Sequence, residues 1–354
     1  MKRILCITEN LGSGGAERQL TGLAVMLKEA GCKVKFVTYI ERQFYEPYLR
    51  DNAIDYELIA NGRNKLSRLN SIRKILGEFK PDVVISFLPS VNMTMCLFKV
   101  LGYKFRLIVS ERSHTNTLTA KQRLIFGLYR LADYVVANSY SETENIGKLA
   151  PALKPKLKTI TNFVDTDKFC PPQNKKESDG TINILSVGRI IPVKNILNYI
   201  RTIKFVIDSG CDIRATWVGV NYDKDYSQQC VALIRELNLE NRFIFKPQTE
   251  NIIEEYQKAD IFCLPSFYEG FPNVLCEAMS CGLPIVCSNV CDNPYIVEDC
   301  TNGFLFDPYS IEEMTTAIIS CINADRQKMS KQNRDQSALN FPEKQYVKSY
   351  INLL

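Results

Sequence analysis

Short β-branched apolar runs alternate with helix-length amphipathic segments along most of the chain. In the first half, residues 3–8, 33–39, 82–87, 106–110 and 134–137 read as strands. A second series follows at 182–187, 214–218, 242–245, 261–264 and 284–287. Helical spacing fills the gaps, for example at 16–30, 66–79 and 273–280. Strands that alternate with helices predict right-handed βαβ units and parallel sheets. The rhythm breaks between Thr161 and Thr181, where Pro171-Pro172 precedes a polar run at 173–180. That composition predicts a linker. The expected architecture is therefore α/β, with residues 1–165 and 166–340 forming two domains that face across a cleft. Residues 341–354 carry apolar positions at Tyr346, Val347, Tyr350, Ile351 and Leu354. That spacing predicts a last helix that packs back toward the N-terminal domain.

Composition agrees with two cores. The chain has 354 residues, 45% of them hydrophobic, and single cores stop growing at roughly 250–300 residues. No run reaches the ~18 uncharged apolar residues of a membrane span. The N-terminal apolar run meets Glu9 too early for a signal peptide, so a cytoplasmic protein is expected. Thirteen cysteines are scattered through apolar stretches, and the chain has one histidine. This predicts reduced thiols and no bound metal. Charge is uneven. Residues 1–160 hold 25 Lys and Arg against 14 Asp and Glu, and residues 161–354 hold 19 against 25, for the net +5 of the whole. A basic first half fits an anionic partner such as a membrane surface or lipid phosphate, or else a merely solvated face. No nucleic-acid motif accompanies it, and no nucleic-acid partner is expected.

Three segments carry candidate chemistry. The first strand runs into Gly12-Ser13-Gly14-Gly15-Ala16-Glu17-Arg18 and then a helix. Glycines permit close backbone approach, and a helix start favours anions. Glu17 stands where a dinucleotide fingerprint wants a small residue, which disfavours a nicotinamide cofactor. At the same place in the second half, Gly188-Arg189 is followed by Lys194. Two cations there can clamp a diphosphate and stabilise its departure. The third segment runs from Pro265 through Glu269 and Asn273 to Glu277 and Gly282. Asn273 is read as the N-cap of a helix and Glu277 as one turn inside it, with free amides from 271 to 274. Glu277 can accept both hydroxyls of a ribose, and Glu269 can hold hydroxyls of a transferred sugar.

The paired glutamates resemble the motif of retaining glycosyltransferases of the two-Rossmann-domain (GT-B) class, specifically glycosyltransferase family 4. The resemblance spans nearly the whole chain. It includes the Gly-rich first loop with Ala16-Glu17-Arg18, Asn138-Ser139, Asn162-Phe163-Val164-Asp165, Gly188-Arg189 with Lys194, and the glutamates. It implies that Arg189 and Lys194 bind the donor diphosphate, Glu277 the ribose and Glu269 the sugar. The backbone of Gly270, Phe271, Asn273 and Val274 would approach sugar and phosphate. Gly14 and Gly15 would face the diphosphate from the other domain, and the base would lie near Phe245, Lys246 and Pro247. Glu17, Arg18 and Arg112 fall on the acceptor side. The family needs no metal or other cofactor. The donor implied is a nucleotide sugar, most commonly UDP-linked, carrying a hexose or N-acetylhexosamine. Members of this kind build bacterial surface polysaccharides on lipid-diphosphate-linked glycans. Basic amphipathic segments around Lys65, Arg68, Arg73 and Lys74 and around Lys121, Arg123 and Arg130 predict peripheral contact with an anionic membrane at the inner face of the plasma membrane.

Two features depart from the family pattern. Relatives carry a histidine after the strand equivalent to 106–110, and here either Arg112 or His114 fills that place. Relatives also carry a Gly-rich turn and a glutamate before Asn302-Gly303. Here Cys291-Asp292-Asn293-Pro294-Tyr295 stands instead, with no glycine. Two other functions share the motifs: a sugar-nucleotide 2-epimerase of the same fold, and a non-catalytic nucleotide-sugar-binding protein.

Overall fold

The computed structural model describes residues 1–112, 115, 117–173, 180–249 and 251–354. It divides into two units, Met1–Phe163 with Glu343–Leu354, and Val164–Pro342.

The first unit is a parallel sheet of seven strands. They are β1 (Arg3–Ile7), β2 (Lys33–Thr38), β3 (Asp55–Leu58), β4 (Val83–Phe87), β5 (Arg106–Glu111), β6 (Tyr134–Ala137) and β7 (Leu157–Thr159). Their order is β3-β2-β1-β4-β5-β6-β7, the doubly wound arrangement with its switch point between β1 and β4. The central β4, Val-Val-Ile-Ser-Phe, is buried throughout, because helices cover both faces of a parallel sheet. Those helices include α1 (Gly15–Glu29), α2 (Glu46–Asp51), α3 (Lys65–Phe79), α4 (Pro89–Val100), α5 (Ala120–Tyr129) and α6 (Tyr140–Leu149).

The second unit repeats the plan with six strands. They are β8 (Ile182–Val187), β9 (Ile213–Val218), β10 (Phe243–Lys246), β11 (Ile261–Leu264), β12 (Ile285–Ser288) and β13 (Gly303–Phe306). The order is β10-β9-β8-β11-β12-β13, so the switch point falls between β8 and β11. Its helices are α7 (Ile196–Asp208), α8 (Lys224–Glu236), α9 (Ile252–Lys258), α10 (Asn273–Ser280), α11 (Asn293–Ile296), α12 (Ile311–Asn323) and α13 (Arg326–Asn340). The last helix, α14 (Glu343–Ile351), belongs to the first unit. It buries Tyr346 and Tyr350 in the same apolar cluster as Ile4, Leu20, Leu23 and Phe163.

Three strands escaped the sequence pattern, all at sheet edges or next to them. In β3, Asp55 and Glu57 mask the strand signal. They are there because Lys35 on the neighbouring strand lies 3.2 Å from Asp55 and 2.9 Å from Glu57. β7 is three residues long, and β13 opens on Gly303. A Cβ at Gly303 would stand 2.5 Å from the carbonyl oxygen of Ile285 on the adjacent strand, so only glycine fits.

The expected linker also differs. Residues 164–173 are docked on the second unit, where Val164 and Phe169 are buried in its core. Ser280 Oγ donates to the Phe169 carbonyl at 2.6 Å, and Arg334 Nη1 donates to the carbonyls of Thr166 and Phe169. The proline pair ends a docked segment, and residues 174–179 of the polar run lie outside the described residues.

Candidate active site

In the second unit the candidate residues gather at the carboxyl ends of β8 and β11, the two strands that flank the switch point. β8 leads through Gly188 and Arg189 into a short 3-10 turn, Pro192–Lys194. A Cβ at Gly219 would fall 1.9 Å from the Gly188 carbonyl oxygen, which explains glycine at the end of β9. Asn195 then takes a left-handed φ of +58° and starts α7. Asparagine tolerates that conformation, and here its buried amide ties two other loops down. Asn195 Nδ2 donates to the carbonyls of Pro265 at 3.0 Å and Pro308 at 2.7 Å.

This turn aims Lys194 at Glu269. Its Nζ lies 2.6 Å from Glu269 Oε1, with both side chains 12% exposed. Ser266 Oγ donates to the same oxygen at 2.6 Å. The Glu269 loop is pinned further by Phe267, whose amide donates to the Val193 carbonyl at 2.9 Å, and by Cys291, whose Sγ accepts from the Glu269 amide at 3.4 Å. Arg189 is brought elsewhere. It is exposed, with its guanidinium carbon 5.4 Å from the centroid of the Tyr222 ring. The two cations of the expected clamp thus stand in different surroundings. One is locked in an ion pair and the other rests on an aromatic face.

Glu277 is buried on α10, and its Oε2 accepts from Tyr256 Oη at 2.9 Å. Tyr256 lies on α9 and is itself fully buried. Sequence reasoning missed this partner, because nothing in the spacing of 256 and 277 links them. The helix start also differs from the expectation. Pro272 is the N-cap and offers no side-chain acceptor, while Asn273 is already helical. The Asn273 amide donates to the Phe271 carbonyl at 2.9 Å, so it is not a free donor. Proline at this position needs no amide partner, which lets the helix begin one residue early. Phe271, which follows the half-buried Gly270, turns its ring into the core, 6.0 Å from Phe341. Lys246, at the end of β10, donates to Glu255 Oε2 at 2.8 Å, and Pro247 after it is exposed.

The turn without a glycine has a structural answer. Cys291 adopts φ +50°, the left-handed conformation a glycine would take, and places its thiol against the Glu269 amide. Tyr295 is exposed.

In the first unit, Gly14 is the N-cap of α1 and Gly15 its first residue. A Cβ at Gly14 would fall 2.2 Å from Glu17 Oε2, so the Glu17 carboxylate folds back onto the helix start. Burial pushes its carboxyl above the ordinary value, against the pull of its own amide and of Arg42 and Arg112. An anion arriving at this helix start meets a carboxylate already there. Arg18, on the next position of α1, is half-buried. Arg112 follows β5 directly, lies over the Phe87 ring and donates to Asn162 Oδ1. Its Nε and Nη1 are buried without a hydrogen-bond partner among the described residues. His114 lies outside the described residues. The Asn162-Phe163 motif is anchored by Gln19, which exchanges two hydrogen bonds with the Phe163 backbone at 2.9 and 3.0 Å.

Two doubly wound parallel sheets, the second with its lysine and carboxylates at the switch point, define a glycosyltransferase of the GT-B class. The sequence agrees over both units. Residues 13–168 match the model described as Glycosyltransferase Family 4, and residues 171–336 the model described as Glycosyl transferases group 1. The chain belongs to this glycosyltransferase family. An uncharacterized glycosyltransferase of Haemophilus influenzae is 27% identical over 333 residues, covering 91% of each chain. The Campylobacter jejuni N-acetylgalactosamine-N,N'-diacetylbacillosaminyl-diphospho-undecaprenol 4-alpha-N-acetylgalactosaminyltransferase is 26% identical over 315 residues, 82% of this chain and 81% of that one. An Escherichia coli UDP-Gal:alpha-D-GlcNAc-diphosphoundecaprenol alpha-1,3-galactosyltransferase is 30% identical over 177 residues, 46% of this chain and 44% of that one. Among solved structures, a Rickettsia africae glycosyltransferase superposes with a TM-score of 0.87 at 18% identity, over 99% of this chain and 97% of that one. The Anabaena HepE protein, solved with UDP and glucose, superposes with a TM-score of 0.83 at 19% identity over 99% of each. Both show the fold. Among the described residues no helix is long and apolar enough to cross a membrane.

Proposed function

We propose that this glycosyltransferase moves a hexose or N-acetylhexosamine from a UDP-sugar to a lipid-diphosphate-linked glycan, with retention of anomeric configuration, in bacterial surface polysaccharide synthesis. The observation that carries the donor assignment is the Lys194–Glu269 pair at the switch point, with Glu277 presented on the adjacent helix. A lysine ammonium has three donors. Lys194 can therefore keep Glu269 and still receive a phosphate oxygen. Arg189 supplies a second cation for the diphosphate as it leaves. Glu277 takes the ribose hydroxyls, Glu269 takes the sugar, and Lys246 and Pro247 border the base. In a same-face transfer the departing phosphate oxygen accepts the acceptor's proton. The protein then contributes position and electrostatics rather than a base, and no resident metal is called for.

The acceptor class rests on the Campylobacter and E. coli relatives, both named for transfer onto undecaprenyl-diphosphate-linked sugars. The E. coli name also specifies a UDP-linked donor. Arg112, with two guanidinium nitrogens unpartnered among the described residues, or His114 is assigned to the acceptor, together with Glu17 and Arg18. Peripheral contact with an anionic membrane at the inner face of the plasma membrane is supported by α5, which exposes Leu124 beside Lys121 and Arg123. The test is a panel of UDP-hexoses and UDP-N-acetylhexosamines with lipid-diphosphate-linked acceptors, with the product anomer read by NMR. Glycoside formed with retention is expected. An inverted product overturns the stereochemical assignment, and an epimerised donor or binding without turnover overturns the transfer assignment. Flotation with liposomes rich in anionic lipid tests the membrane contact, and equal partition onto neutral liposomes counts against it.

A further inference from the structure

Glu269 is held by a buried chain of hydrogen bonds that starts two loops away. Asn293 Nδ2 donates to the Ser288 carbonyl at 2.8 Å. Ser288 Oγ donates to the Ser266 carbonyl at 2.7 Å, and Ser266 Oγ donates to Glu269 Oε1 at 2.6 Å. Asn293, Ser288 and Ser266 are all fully buried. Oε1 thus receives two donors, Ser266 Oγ from its own loop and Lys194 Nζ from the turn after β8, both at 2.6 Å. Among the described residues nothing donates to Oε2.

A carboxylate on a loop turns freely about its last torsion unless both the oxygen and the backbone are fixed. Here the backbone is fixed by Cys291 and Val193, and one oxygen by the serine and lysine. Lysine alone is a mobile point charge that follows the carboxylate. Ser266, fully buried two residues beyond β11 and held at its carbonyl by Ser288, cannot follow. Ser266 is the element that decides which way Glu269 points.

We infer that Ser266 is a positioning residue for donor recognition: it saturates Oε1 of Glu269 together with Lys194, so that the carboxylate offers a single fixed acceptor, Oε2, to one hydroxyl of the donor sugar. The end of β12 and the start of α11 set the position of that oxygen through Ser288 and Asn293. This rests on the reading of Glu269 as the sugar ligand. It goes further in assigning the selectivity to one oxygen and its orientation to a residue outside the glutamate pair.

The test is calorimetric titration of the full chain with UDP and with UDP-glucose, UDP-galactose, UDP-N-acetylglucosamine and UDP-N-acetylgalactosamine. UDP lacks the sugar, so it reports everything except the Glu269 contact. Ser266→Ala is expected to weaken the best-binding UDP-sugar by about tenfold, the size of one charge-assisted hydrogen bond, and to leave UDP affinity unchanged. Ser266→Thr, which keeps the hydroxyl, restores most of the loss. Ser288→Ala gives the same selective loss, smaller in size, and stands in if Ser266→Ala does not fold. In a Glu269→Ala background, Ser266→Ala adds nothing further, because the two act as one unit. Equal weakening of UDP and UDP-sugar by Ser266→Ala overturns the inference and makes the serine a plain structural residue. A sugar-selective loss in Glu269→Ala without one in Ser266→Ala also overturns it and leaves the donor site standing. No sugar-selective loss in Glu269→Ala, or no binding of any of the four sugars, overturns both.

Discussion

Glu111 ends β5 one residue before Arg112, and it is a carboxylate in the wrong solvent. It is buried, and its Oε1 accepts from the hydroxyl of Tyr129 on α5. Tyr129 in turn accepts from Asn92 Nδ2 at 2.9 Å, and Asn92 Oδ1 accepts from Ser86 Oγ at 2.7 Å. Burial pushes the Glu111 carboxyl from 4.5 up to about 7. The Tyr129 hydrogen bond pulls it back and the nearby Glu142 charge pushes it further up. An acid whose pKa is raised on folding favours the protonated native state. Its contribution is complete below about pH 4.5 and is lost as pH rises through about 7. With 1.36 kcal/mol per pKa unit, the full loss is about 3 kcal/mol, of which about 2 kcal/mol falls between pH 5.5 and 7.5. Glu111→Gln keeps the volume and a carbonyl acceptor for Tyr129 but cannot ionise. Its stability relative to the parent is therefore expected to improve by about 2 kcal/mol on going from pH 5.5 to 7.5. Urea unfolding measures this with two signals. The single tryptophan, Trp217, lies in the second unit and should report a transition that the substitution leaves alone. Far-UV circular dichroism adds the first unit, where the change must appear. Parallel pH curves for parent and variant, or a shifted Trp217 transition, would refute the reasoning.

Three other substitutions test the packing around the motifs. Gly22→Ala places a Cβ 2.4 Å from Phe163 Cζ. The overpacking, about 1–3 kcal/mol, outweighs the helix-propensity gain of about 1 kcal/mol, so a net fall in the first unit's unfolding midpoint is expected. Tyr256→Phe removes the hydroxyl donated to Glu277 and is expected to destabilise the second unit by about 1.5 kcal/mol in urea, with UDP binding weakened as well. Unchanged UDP affinity would argue against Glu277 at the ribose. Lys194→Met strands the Glu269 charge with Ser266 as its one remaining side-chain donor among the described residues and is expected to cost about 2 kcal/mol of stability, since the pair is nearly but not wholly buried. The double variant Lys194→Met/Glu269→Gln should recover most of that loss in thermal melting, while transfer activity stays low in both.

The alternating sheet and helix pattern, the division into two α/β halves and the last helix were all legible in the chain. Each is written in local periodicity, which needs only neighbouring residues. Glu277 on its helix and Glu269 on the loop before it followed from the same local rules. The rest depended on residues far apart in the chain. Lys194 and Glu269 are 75 positions apart, Tyr256 and Glu277 are 21 apart, and only the switch-point topology and helix packing join them. The left-handed Cys291 shows the limit from the other side. The sequence reports a missing glycine, whereas the folded loop supplies the same backbone and adds a thiol against Glu269. The edge strands β3 and β13 and the docked segment 164–173 were hidden for the same reason. Their polar or glycine-containing sequences acquire a structural role only when a neighbouring strand or core provides the partner. The sequence by itself determined which residue types were available at the site and roughly on which elements. Tertiary structure decided which of them meet, because hydrogen bonds and ion pairs depend on distance in space and not on distance along the chain.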